Sequence, residues 1–310
     1  MMNTNKTRLL TKGEIINETY CVDFFIGEGA FGEVYRVTHK FLAESQVLKV
    51  FKQEYVANTD LDLIFNEGRL LAKLTHPSIV RVFDLNTFLK AGESYYFMAM
   101  AFVSGESLAQ LLKRKIRLPA PVAISLMVDV LRGLAIAHKN KPTIIHRDIS
   151  PDNILLSYDN IQPLGLLCDF GLARSHEQVS QLTGAGGKYL YFAPECFLNL
   201  YLPASDVFSA GVVFYQMLVG SHPWEYCYDD LDQNDTDAIT NMIISSRKSR
   251  PTNPSYFQEQ IDEQLDEVIL RSLETDLEKR YRTAGAFLRA LQSAVVPQPL
   301  PNAYWTEQGF

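Results

Sequence analysis

Asp148, Asn153 and Asp169 are the residues of this chain whose types and spacing can do chemistry together. Asp148 and Asn153 lie in Ile145-His146-Arg147-Asp148-Ile149-Ser150-Pro151-Asp152-Asn153, and Asp169 opens Asp169-Phe170-Gly171. The first carboxylate can accept a proton, while the amide and the second carboxylate can hold a divalent metal ion. Two apolar stretches between them, Ile154-Leu155-Leu156 and Leu164-Gly165-Leu166-Leu167-Cys168, read as buried strands. Pairing those strands would bring Asn153 and Asp169 to one open end. A magnesium-bound polyphosphate beside a proton acceptor is what phosphoryl transfer needs.

Other elements must position the polyphosphate. Ile26-Gly27-Glu28-Gly29-Ala30-Phe31-Gly32-Glu33-Val34 contains G-x-G-x-x-G, which in a dinucleotide fingerprint is followed by a helix. Here Glu33-Val34-Tyr35-Arg36-Val37-Thr38 follows, and its alternation with β-branched and aromatic residues reads as a strand. A glycine-rich hairpin between strands can cover phosphates with backbone N–H groups, because no Cβ keeps them away. Gln46-Val47-Leu48-Lys49-Val50-Phe51-Lys52 reads as another strand. Lys49 stands in it between apolar neighbours, where a charge is costly unless paired. Glu67 is the candidate partner, on a helix running to about Leu74 with Leu63, Phe65, Leu70, Leu71 and Leu74 as apolar positions. Tyr95-Tyr96-Phe97-Met98-Ala99-Met100-Ala101-Phe102-Val103 reads as a buried strand ending near Gly105.

These segments resemble the eukaryotic-type (Hanks-type) protein kinase family and are most like its bacterial serine/threonine members. Tyr191-Phe192-Ala193-Pro194-Glu195, Asp206-Val207-Phe208-Ser209-Ala210-Gly211 and Asp276-Leu277-Glu278-Lys279-Arg280-Tyr281 extend the resemblance, as does the lead-in Leu10 to Tyr20. It implies an α+β, two-lobed fold over residues 15–295, with an N-lobe of about 15–102 and a C-lobe of about 104–295. Residues 1–14 and 296–310 are expected as flanking tails, the latter a stiff exit through Pro297, Pro299 and Pro301. The implied activity is ATP-dependent phosphorylation of a protein serine or threonine. In this resemblance Asp148 receives the hydroxyl proton and Asn153 and Asp169 hold Mg²⁺, with Mn²⁺ as the alternative ion. Lys49 would hold the α- and β-phosphates, oriented by Glu67. The loop Ile26 to Val34 covers the nucleotide, with Val47, Met100, Ala101, Val103 and Leu155 at the adenine. Arg280 would pair with Glu195.

Three positions depart from the family pattern: Ser150 replaces a lysine, Lys188 a threonine and Val47 an alanine. None removes Lys49, Glu67, Asp148, Asn153 or Asp169. Ser150 and Lys188 would both flank Asp148, so two readings of Lys188 stand: it substitutes for the absent lysine, or it is a solvent-facing loop residue. Alternatives on the same fold are a nucleotide-binding pseudokinase and a small-molecule kinase. The latter lacks the need for Ala193-Pro194-Glu195 and a long activation segment; the Ser150-to-Asn153 loop is nearer the serine/threonine form than the tyrosine form. Thr183 or Ser180 is the expected activating phosphosite, met by Arg147 and Arg174. The acidic stretch Glu225 to Asp237 is expected to favour basic protein substrates.

The 310 residues are 47% hydrophobic and 21% charged, as in a soluble globular protein. Net charge of −7 argues against nucleic acid as the main partner. No run suggests membrane insertion, and no signal-peptide core opens the chain. Cys21, Cys168, Cys196 and Cys227 have neither metal-ligand nor disulfide spacing, which suggests a reducing, cytoplasmic location.

Overall fold

Tyr20, Val22, Tyr35, Val37 and Leu48 are buried at alternate positions, which fixes one face of an antiparallel sheet. In the computed structural model, which describes residues 8–29, 31–57, 61–159, 162–170, 188–226 and 235–295, that sheet is the body of the first of two compact units. Its strands are β1 (Ile15–Ile16), β2 (Tyr20–Glu28), β3 (Gly32–His39), β4 (Glu44–Phe51), β5 (Val82–Lys90) and β6 (Glu93–Ala101). They run in the order β1-β2-β3-β4-β6-β5. Helices α1 (Gln53–Ala57) and α2 (Leu61–Lys73) complete the unit, which comprises residues 1–75 and 80–102. Gly32 has a structural reason to be glycine. A Cβ there would stand 2.2 Å from the Val50 carbonyl oxygen, so β3 could not approach β4 as it does.

Residues 8–14, expected as a flank, pack on this sheet instead. Leu10 is buried in the core; its amide donates to the Tyr35 hydroxyl at 3.0 Å. The Leu9 amide donates to Glu33 Oε2 at 3.1 Å, and Lys90 Nζ reaches both the Leu9 carbonyl and Glu14 Oε1 at 2.6 Å. The apolar Leu9-Leu10 pair supplies the burial, and the sheet supplies partners for its backbone. Residues 1–7 and 296–310 lie outside the described residues.

The second unit comprises residues 76–79 and 103–310. Strands β7 (Gly105–Ser107), β8 (Ile154–Ser157) and β9 (Leu164–Leu167) form a small antiparallel sheet. Its described helices are α3 (Leu108–Lys115), α4 (Ala120–Lys139), α5 (Pro203–Val219), α6 (Thr236–Ser246), α7 (Glu263–Ser272) and α8 (Ala284–Ala294). Helix α5 starts at Pro203, whose missing N–H costs nothing in a first turn, and ends at Gly220 with φ of 87°. Between these ends it is buried on nearly every face. The sequence reading found no run suited to a membrane, yet α4 is long and apolar enough to cross one. Two thirds of that stretch is buried within this unit, where α4 packs against α5, α8 and β9, so its apolarity is accounted for by the core.

A buried ion pair joins distant parts of this unit. Arg280 donates to Glu195 Oε1 and Oε2 at 2.7 and 3.2 Å, and to the carbonyls of Glu274 and Ala204 at 2.6 and 3.0 Å. Ser205 Oγ gives Glu195 a further hydrogen bond at 2.7 Å. Each charge is therefore satisfied, as burial requires. Arg280→Met is expected to cost about 3–5 kcal/mol, because it leaves Glu195 as an unpaired buried charge. Thermal melts of Arg280→Met, Glu195→Gln and the double variant check this; losses that simply add would mean the two side chains are not coupled.

Candidate active site

The loop around Asp148 is shaped by a carboxylate in the first turn of α5. Asp206 accepts from the His146 amide at 2.8 Å, the Arg147 amide at 3.0 Å and His138 Nε2 at 2.9 Å. His138 can donate because its Nδ1 accepts from the Ala284 amide at 3.2 Å. His146 is fixed in the same tautomer. Its Nδ1 accepts from the Asp148 amide at 3.3 Å and its Nε2 donates to the Cys168 carbonyl at 3.0 Å. Burial holds the His146 pKa below its usual value, so this imidazole is neutral and acts as a spacer between the two loops. Its ring packs on Phe170 at 4.4 Å. Arg147 and Asp169 both have left-handed backbones, with φ of 65° and 54°. Such conformations persist in non-glycine residues where the surroundings over-determine them.

Asp148 itself is 5% exposed. Asn153 Nδ2 donates to the Asp148 carbonyl at 2.7 Å and to its Oδ2 at 2.9 Å. Lys188 Nζ meets the same oxygen at 2.8 Å. The proton-acceptor candidate, the amide and the relocated lysine of the sequence reading thus stand together. The Asn153 nitrogen is turned to Asp148, which leaves the amide oxygen as a hard donor suited to Mg²⁺. Ile154 pairs with Leu167, and the Cys168 amide donates to the Asn153 carbonyl at 3.0 Å, so β8 and β9 bring Asn153 and the start of Asp169-Phe170 to one end. Asp169 and Asn153 are oxygen donors of the kind that would hold a hard divalent cation.

Sequence reasoning missed Arg247, which closes α6. It is 3% exposed and donates to the carbonyls of Tyr189, at 3.3 Å, Leu190, at 2.8 Å, and Phe192. Phe208 and Trp224 face its guanidinium at 5.0 and 5.5 Å. No local spacing signals this residue, since the carbonyls it holds lie more than fifty positions upstream. His138, His146 and Asp206 were likewise not singled out as a hydrogen-bonded set.

Within the first unit, β2 and β3 form the glycine-rich hairpin, closed by Gly29 N–H on the Gly32 carbonyl at 2.9 Å. Ala30 lies outside the described residues. Nothing stands within 4 Å of where a Cβ would project from Gly27 or Gly29. Glu28 pairs with Lys52 at 2.8 Å, whereas Glu33 turns to Leu9 and Tyr35. Ile26 is half exposed, and Val34 lies opposite Lys49 in the sheet. Lys49 is 8% exposed on β4, with Phe31 5.9 Å from its ammonium. Glu67 is on α2, and its side chain lies outside what is described, as does the expected pairing with Lys49. Val47 and Met100 are cross-strand partners. The Ala101 amide is taken by the Arg81 carbonyl at 2.9 Å, so adenine recognition by a donor would fall to later residues. Val103 and Leu155 belong to the second unit, Leu155 on β8 opposite Ser107 and Leu166. Thr183, Ser180 and Arg174 lie outside the described residues, as do residues 227–234 of the acidic stretch. Asp235 caps α6 by accepting from the Ala238 amide at 2.9 Å.

Residues 20–291 match the protein kinase domain family. A probable serine/threonine-protein kinase of Clostridium perfringens is 28% identical over 284 residues, covering 90% of this chain and 39% of that protein. The tyrosine-protein kinase MasK of Myxococcus xanthus is 30% identical over 261 residues, covering 80% and 38%. The serine/threonine-protein kinase PknB of Mycobacterium leprae is 29% identical over 275 residues, covering 87% and 42%. The chain therefore spans about 40% of the length of these curated relatives. The crystal structure of the Mycobacterium tuberculosis PknI kinase domain superposes with a TM-score of 0.67 at 24% identity, covering 92% of this chain and 100% of that one. That likeness is one of fold.

His222 gives this region an acid limit. It packs on Tyr191 at 4.9 Å, and burial, with Arg247 nearby, pushes its pKa down to about 4. Such a histidine stays neutral in the fold while the unfolded chain takes up a proton. Its contribution to stability is complete above 6.5 and is lost as pH falls towards 4. Melting temperatures measured from pH 7.5 to 4.5 are expected to fall less steeply for His222→Phe than for the wild type. Equal slopes would remove His222 as a cause.

Proposed function

The chain belongs to the protein kinase family, and from that premise we propose that it is an ATP- and Mg²⁺-dependent protein serine/threonine kinase. Its fold is the α+β protein kinase fold, with a β-rich N-terminal region and a mainly helical C-terminal region. The observation that carries the activity is the Asp148 carboxylate, nearly buried and fixed on one oxygen by Asn153 and Lys188. In this reading Asp148 orients the substrate hydroxyl and takes its proton. Asn153 and Asp169 hold the metal ion, which screens phosphate charge when bound. Lys49 and the amides of the Gly27–Gly32 hairpin orient the phosphates, with Glu67 as the partner of Lys49. The names of the Clostridium and Mycobacterium relatives favour serine or threonine as acceptor; that of MasK favours tyrosine. A reducing, cytoplasmic setting is proposed from the scattered spacing of Cys21, Cys168, Cys196 and Cys227 along the sequence.

The direct test is radiolabelled phosphate transfer from ATP, with Mg²⁺, to a generic basic protein and to paired basic and acidic peptides. Phosphoserine or phosphothreonine is expected, and Asp148→Asn should lower the rate at least about 100-fold. A basic preference that weakens with salt fits the acidic stretch after Glu225. Phosphotyrosine alone would move the assignment to the tyrosine class, and nucleotide binding without transfer would support a pseudokinase.

We propose further that phosphorylation of Thr183 or Ser180 activates the enzyme through charge-assisted bonds to Arg147 and Arg174. The Ser180→Ala/Thr183→Ala variant is expected to lose most activity. Full activity in that variant, with neither site modified in active wild type by mass spectrometry, would exclude the switch.

A further inference from the structure

We infer that Lys188 supplies the ammonium that contacts the transferring γ-phosphoryl group, so that the activation segment and not the catalytic loop carries this charge. The inference rests on the kinase reading above and extends it to a residue outside the catalytic loop.

Between Asp148 and Asn153 the loop reads Ile149-Ser150-Pro151-Asp152, without an amine. Ser150 is 1% exposed, and its Oγ has no hydrogen-bond partner among the described residues. Lys188, forty positions after Asp148, places its Nζ 2.8 Å from Asp148 Oδ2, with 26% of its side chain still accessible. An ammonium has three N–H donors, and the carboxylate contact takes one of them.

The backbone behind Lys188 is fixed to an extent that a solvent-facing lysine would not need. Lys188 opens the 3-10 turn Lys188–Tyr191. The next four carbonyls each accept from a side chain of the helical core. Arg247 donates to Tyr189, Leu190 and Phe192, and Ser209 Oγ donates to Tyr191 at 2.7 Å. The Tyr191 hydroxyl in turn donates to Gln216 at 2.7 Å. A charge held by such a frame stabilises developing negative charge without reorganising during the reaction.

The step balances with ATP as the only co-reactant. The substrate hydroxyl oxygen forms a bond to the γ-phosphorus, and its proton passes to Asp148. The bond from that phosphorus to the β,γ-bridging oxygen breaks, and ADP leaves with the electron pair. Lys188 remains an ammonium throughout, its remaining N–H groups donating to the γ-phosphoryl oxygens, where transition-state charge gathers.

The experiment compares steady-state kinetics of wild type, Lys188→Met, Lys188→Arg, Asp148→Asn and the relocation variant Ser150→Lys/Lys188→Thr, with thermal melts for each. Lys188→Met is expected to lose about 100-fold in kcat with little change in either KM, as when one preorganised donor is removed. Lys188→Arg should recover at least about tenfold of that loss, since the charge is retained. A relocation variant that melts like the wild type should also exceed Lys188→Met in kcat. A kcat for Lys188→Met within about threefold of wild type overturns the inference. So does a loss in Lys188→Met that Lys188→Arg shares in full while both melt like the wild type, because charge would then be irrelevant. If the wild type transfers no phosphate to any acceptor, the kinase reading falls first. If it transfers and only Asp148→Asn is inactive, that reading stands and the role of Lys188 alone is wrong.

Discussion

The carboxylate of Asp206 is the constraint on which the rest of the loop around Asp148 depends. It is 2% exposed, yet two backbone amides and one imidazole donate to it. The N-terminal turn of α5 favours a negative charge there, and charge-assisted hydrogen bonds are roughly twice as strong as neutral ones. Through His138 the same carboxylate reaches the first turn of α8, and through the His146 amide it fixes the ring that spaces Asp148 from Cys168. A helix start, two hydrogen-bonded histidines and two left-handed backbones therefore form one arrangement. Its product is an Asp148 whose position does not depend on solvent.

A second arrangement holds the segment from Tyr189 to Glu195. Two buried guanidiniums serve it, Arg247 on the carbonyls and Arg280 on the Glu195 carboxylate. Both stand over the ring of Phe208, at 5.0 and 4.9 Å, and Phe208 also stacks on Trp224. One aromatic residue in the middle of the core helix thus faces both cations. The π-face offsets part of the desolvation cost that two charges would otherwise bring to this interior.

The site was legible in the sequence where chemistry demands a residue type within a short span. Asp148, Asn153 and Asp169 could be read because the first two stand five positions apart and paired strands must join them to the third. Lys188 could be singled out because two departures from one pattern, at positions 150 and 188, were both expected beside Asp148, and the structure places Lys188 on that carboxylate. Arg280 with Glu195 was legible only through family resemblance, since 85 residues separate them. Arg247 was not legible at all, because its acceptors are backbone carbonyls, which every residue possesses. Helix α4 misleads in the opposite way. Local apolarity cannot distinguish a lipid-facing helix from one enclosed by its own protein, and only packing against α5, α8 and β9 decides it.

The packed segment at residues 8–14 bears on where this unit begins in space. The family match starts at residue 20, but the physical edge of the sheet lies earlier. A chain cut at that point would strip Leu10 and Ile16 from a core that includes Val22, Tyr35 and Phe97. It would also leave the Tyr35 hydroxyl without the Leu10 amide, and the Lys90 ammonium without Glu14 and the Leu9 carbonyl. Glu33, which follows directly on the glycine-rich turn, would lose the Leu9 amide at the same moment. Trimming to the homologous boundary would thus reach the glycine-rich hairpin through the first residues of β3.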